Sequence, residues 1–156
     1  MDIKGLIMKK TIDNQIQELK EIIIKMNQMN KMENKFSDDE VKESKKLGAK
    51  FNKLLKTLLS SEEGVTNLIK LLEDRNPVVS FIVARNLYPM FPTKSMIIMK
   101  NYLNQVTDKL ERMRVNDVVK GFEIKQKVFI DQFKKLYNTE DLDSLNREND
   151  IWNNNL

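Results

Sequence analysis

The chain contains no histidine and no cysteine in its 156 residues. Without histidine it lacks the commonest general base, the commonest metal ligand and the usual neutral-pH switch. Without cysteine it has no disulfide, no thiolate nucleophile and no sulfur-ligated metal, which agrees with a reducing compartment. Any catalysis would rest on carboxylates, lysine, arginine, tyrosine and hydroxyls. Turn formers are also few: four glycines and three prolines. That scarcity, with abundant Lys, Glu, Leu, Met and Ile, favours long helices over many short strands. No apolar run approaches the roughly 20 residues of a membrane span. The patch Leu6–Met8 in "MDIKGLIMKK" is too short for a secretory leader. The expectation is a soluble, cytoplasmic protein.

What is present is charge and aliphatic bulk. Charged residues make up 32% and hydrophobic residues 40%, enough to bury a real core at this length. The net charge is +4 and unevenly spread. From Asn138 onward Glu140, Asp141, Asp143, Glu148 and Asp150 face Arg147 alone, so the remainder is more basic than the total. The organisation expected is one helical domain over residues 1–137 and a polar acidic tail over 138–156. Trp152, the single tryptophan, either tacks that tail to the body or is bait for a partner, and tacking is favoured.

Helical spacing recurs along the chain. Ile12, Ile16, Leu19, Ile23, Met26 and Met29 form one face, of a helix starting at Thr11 or Asp13; a loop is expected over Asn30–Phe36. "SDDE" at Ser37–Glu40 is a capping box, a simpler reading than a metal site. The helix after it runs through Val41, Leu47, Phe51, Leu54, Leu55 and Leu58; Gly48 within it costs about 1 kcal/mol against Ala, tolerable if another helix crosses closely there. Ser60 and Glu63 suggest a second box, ahead of Val65, Leu68, Ile69 and Leu72. Asn76 then caps a helix with Pro77 at its first position, burying Val79, Ile82, Val83 and Leu87. Pro89 and Pro92 end it, and Thr93 is expected to cap the next helix, with core residues Met96, Met99, Leu103 and Val106. "TDKLERMRVND" has ambiguous periodicity, and a last helix is expected with Phe122, Phe129, Phe133 and Leu136 on one side. Met26, Met29, Met90, Met96 and Met99 read as core filling rather than an adaptable groove.

The stretch "LLEDRNPVVSFIVARNL", with Leu71, Leu72, Asp74, Pro77, Val79, Ala84 and Leu87, resembles a HEAT-type helical repeat. From about Val65 to Tyr137 the chain is similar to a small bacterial HEAT-like family, the domain of unknown function 2019. Ser80 stands where that pattern usually carries an arginine paired along the repeats with aspartate, and Arg85 is the substitute one turn on. The resemblance implies an all-α, right-handed stack of about six antiparallel helices that presents a surface to another macromolecule. Small members of such families include immunity proteins that neutralise partner toxins, which is an analogy at the level of fold.

The function expected is therefore a non-catalytic protein-binding module, a toxin-neutralising immunity protein in its specific form, acting as a monomer without cofactor, metal or membrane. The alternative is a nucleic-acid-binding scaffold using Arg75, Lys94, Lys100, Arg112 and Arg114 as a basic surface. A HEAT-like base-excision enzyme would need a longer array with Trp and Asp facing its cleft. Solvent-side residues expected to contact a partner protein are Arg75, Arg85, Tyr88 and Lys125, with Lys134, and Lys94 and Asn101 at the rim. Arg and Tyr are over-represented among interface hot spots, which places Arg85 and Tyr88 first.

Overall fold

The computed structural model describes residues 3–30, 37–125, 128, 131, 132 and 135. Six helices and no strand occur among the described residues: α1 Ile3–Asn30, α2 Asp38–Leu59, α3 Glu62–Leu71, α4 Pro77–Leu87, α5 Pro92–Gln105 and α6 Lys109–Ile124. The chain divides into two compact units, Met1–Val79 and Ser80–Leu156, with the boundary inside α4.

In the first unit α1 is longer than its periodicity suggests, beginning at Ile3. Ile12, Leu19, Ile23 and Met29 are buried as expected, joined by Ile22. Positions 31–36, where the loop is expected, lie outside the described residues. Ser37 caps α2, its Oγ accepting from the Glu40 N–H at 3.2 Å, and three acids fill the first turn. Two ion pairs link α1 to α2: Lys25–Glu43 and Glu18–Lys50, both at 2.6 Å. The pairing partner rises along α2 as it falls along α1, so the two helices run antiparallel.

Several positions depart from the expectation of the sequence. Val41 is exposed, and the core side of α2 is Phe51, Leu54, Leu55 and Leu58. No helix crosses at Gly48, where an added Cβ would meet nothing within 4 Å. The close approach is at Gly64, where a Cβ would run into the Leu58 backbone. The cap of α3 is Ser61 rather than Ser60: its Oγ accepts from the Gly64 N–H at 3.0 Å. Ser60 instead ends α2, its hydroxyl donating to the Thr57 carbonyl at 2.5 Å. Adjacent serines thus serve two helices, one closing and one opening. Val65, Leu68 and Leu71 bury the inner side of α3 and Leu72 is buried just past its end, while Ile69 is only half-buried. In the joint to α4, Asp74 accepts from the Asn76 N–H and Asn76 from the Val78 N–H, both at 3.0 Å. Asp74 is also paired with Lys20 of α1 at 3.0 Å.

Val79, Val83 and Leu87 of α4 are buried as expected, together with Phe81 and Ala84; Ile82 is only half-buried. In the second unit α5 begins at Pro92 with Phe91 in the N-cap position and no side-chain cap, so Thr93 does not serve as its cap. Proline's fixed φ suits the first helical position, where its missing N–H costs nothing. The buried side of α5 is Ser95, Met99 and Tyr102. Met96 and Leu103 are half-buried, and Val106 lies buried just past the helix end. The ambiguous stretch resolves into a break at Val106–Asp108 followed by α6. Phe122 belongs to α6, which ends at Ile124, so no single helix runs from Phe122 to Leu136. Phe129, Phe133 and Leu136 lie outside the described residues.

Candidate partner-binding face

The side chains of the α5–α6 hairpin are held by a short set of polar contacts. Asp108 caps α6, its carboxylate accepting from the Glu111 N–H at 2.9 Å. Glu111 in turn accepts from the Tyr102 hydroxyl at 2.5 Å. Arg112 Nη1 donates to the carbonyls of Leu103, at 2.8 Å, and Val106, at 3.4 Å. The first of these acceptors is a helix-end carbonyl without an intrahelical partner, and a cation there also suits the helix dipole. Lys100 pairs with Glu123 at 3.0 Å. These links pair late α5 with early α6 and middle α5 with late α6, so this hairpin is antiparallel too. Burial raises the Tyr102 pKa, and the hydrogen bond to Glu111 and that carboxylate's charge raise it further.

Aromatic contacts complete the unit. Phe81 stacks on Tyr102 with ring centroids 4.7 Å apart and planes at 24°. Tyr88 packs against Phe122 at 4.6 Å and 42°. Tyr88 is only 5% exposed, so its placement among solvent-side contacts is corrected. It follows the last turn of α4, and its ring supplies apolar area to the core.

The remaining expected contacts come from different elements. Arg75 is exposed in the joint before α4, in the first unit. Arg85 is exposed on the last turn of α4. Protein crowds its guanidinium enough to lower its pKa by desolvation, yet water still reaches it and it stays charged. Lys125 is exposed at the end of α6, and Lys134 lies outside the described residues. Lys94 and Asn101 are the two that one helix face unites. They are seven residues apart on α5, and Ile97 sits between them at the three-and-four spacing. Ile97 is 51% exposed. The face thus has an apolar centre, a cation at one end and an amide at the other.

Ile97 was missed in the sequence, although a signal for it exists. Met96, Ile97, Ile98 and Met99 are four consecutive apolar residues, and in an α-helix four residues sweep most of a turn. One of them had to point outward. Of the five methionines read as core filling, Met29, Met90 and Met99 are buried, and Met26 and Met96 half-buried. Among the described residues no three acidic side chains converge as a metal site would require. No described helix is long and apolar enough to cross a membrane. Comparison with known proteins gives no match to a family model, a curated sequence or a solved structure.

Proposed function

We propose that the protein is a non-catalytic protein-binding module, of the kind that neutralises a partner toxin, and that it contacts that partner through the outer face of α5. The HEAT-like right-handed stack is the architecture this reading uses. The observation that carries it is Ile97, half-exposed on α5 between Lys94 and Asn101. An apolar centre with a polar rim is the composition of a protein interface rather than of a phosphate-binding surface. Among the cations of the nucleic-acid alternative, Lys100 is engaged with Glu123 and Arg112 with backbone carbonyls.

The test uses the product of the adjacent gene, purified and titrated calorimetrically against the full chain. Ile97→Asp is expected to weaken binding at least about tenfold, because a charge in the centre of a desolvated patch is left unpaired. Its melting temperature should match the parent's, since the residue is on the surface. Equal affinity for parent and variant would remove this face from consideration.

A further inference from the structure

Helix α6 carries a second pattern on the side away from its core. Val115, Val119 and Phe122 are buried. Leu110, Met113, Asp117, Lys120 and Ile124 are all exposed, and their spacing is three, four, three, four. That is the heptad seam of a two-helix pairing. Its apolar members are open to water to an unusual degree: Leu110 60%, Met113 56% and Ile124 79%. Its polar members, Asp117 and Lys120, carry opposite charges at the middle of the seam.

We propose that this seam binds a second copy of the chain, α6 against α6 in antiparallel register, with Met113 opposite the partner's Ile124 and Asp117 opposite the partner's Lys120. The twofold axis repeats each contact, giving two apolar layers outside two ion pairs. A two-fold interface requires such self-complementarity of one patch. A parallel pairing would set Asp117 against its own copy and Lys120 against its own copy, and like charges directly opposed disfavour it. Shifting the antiparallel register to set Leu110 opposite Lys120 would bring Met113 against Asp117 and lose both kinds of contact. The seam from Met113 to Ile124 is about three turns long, so the dimer is expected to be weak, with a Kd in the micromolar range or above. This inference departs from the expected monomer. It uses a different helix from the α5 face, so either can fail without the other.

Sedimentation velocity of the full chain across a concentration series tests it. A monomer–dimer equilibrium is expected in the parent. Asp117→Lys alone and Lys120→Asp alone should each weaken association at least about tenfold, and the double exchange should restore it to within about threefold. All four positions are exposed, so circular dichroism melts should coincide with the parent's. Register is read with introduced thiols, which the cysteine-free chain makes unambiguous. Mixing Met113→Cys with Ile124→Cys chains should give disulfide-linked dimers, whereas neither variant alone should do so appreciably. A parent that stays monomeric at the highest concentration, a double exchange that fails to restore association, or equal crosslinking of the separate variants would overturn the proposal.

Discussion

A methyl group added at Gly64 would strike the backbone of Leu58, while one added at Gly48 would enter open space. Both glycines are helical, so propensity alone favours alanine at each by about 1 kcal/mol. The two substitutions should therefore move stability in opposite directions. Gly48→Ala is expected to stabilise by about 0.5–1 kcal/mol. Gly64→Ala should cost about 2 kcal/mol or more, because rigid backbone cannot yield as a side chain can. Urea denaturation of the pair checks this, and a shift of the same sign in both would refute it. Tyr88 makes a second residue-scale contrast. Its burial against Phe122 means that Tyr88→Ala should lower stability by about 3–5 kcal/mol, as aromatic truncation in a core does. A Tyr88→Ala protein that melts like the parent would return this side chain to the surface.

At the scale of the element, the joints are held by a few hydrogen bonds whose assignment is testable. Ser61 caps α3, so Ser61→Ala should cost about 1 kcal/mol. Ser60→Ala touches only an exposed bond at the end of α2 and should cost less than about 0.5 kcal/mol. If Ser60→Ala proves the costlier in thermal melts, α3 begins one residue earlier than described. The α5–α6 hairpin offers a pH signature. Tyr102 has a raised pKa in the folded state, so above the ordinary tyrosine range the native chain holds a proton that the unfolded chain releases. Protons bound preferentially by the native state make stability fall as pH rises. The contribution is complete below about pH 10, the ordinary tyrosine value, and declines above it. Tyr102→Phe should lose stability at neutral pH, through the missing bond to Glu111, and fall less steeply than the parent above pH 10. Parallel alkaline profiles for the two proteins would contradict this.

For the whole molecule the informative quantity is how cations are used. The net charge of +4 invites a nucleic-acid reading, yet Lys20, Lys25, Lys50 and Lys100 each sit within an ion pair to a nearby carboxylate. Pairs of this kind contribute little stability individually, but they offset the basic potential a phosphate backbone would meet. The chain is therefore expected to bind duplex DNA or RNA only weakly at low salt. Fluorescence anisotropy between 50 and 200 mM salt (about the range over which phosphate contacts lose most affinity) measures it. Tight binding with a steep negative salt slope would favour the basic-surface alternative over the α5 face.

Helix content, the cap at Ser37 and the core positions Leu19, Leu55, Leu68, Val83 and Met99 were legible in the sequence because they depend on spacing and local hydrogen bonding. Those relations hold within a few residues of one chain segment. Gly48 against Gly64, Ser60 against Ser61, and Tyr88 as core against surface were not legible in that way. For the glycines and for Tyr88 the difference lies in what another segment places beside the residue, whereas the adjacent serines differ in which backbone group three residues away each one meets, a choice that the repeated residue type leaves open. The outward position of Ile97 was implied by four consecutive apolar residues, yet which of the four faces water depends on where α6 and Phe81 pack against α5. Likewise the seam of Leu110, Met113 and Ile124 competes with Val115, Val119 and Phe122 for the same helix. Local periodicity allows either side to be the core, and Tyr102, Lys100 and Tyr88, which meet α6 or its aromatic ring, decide between them.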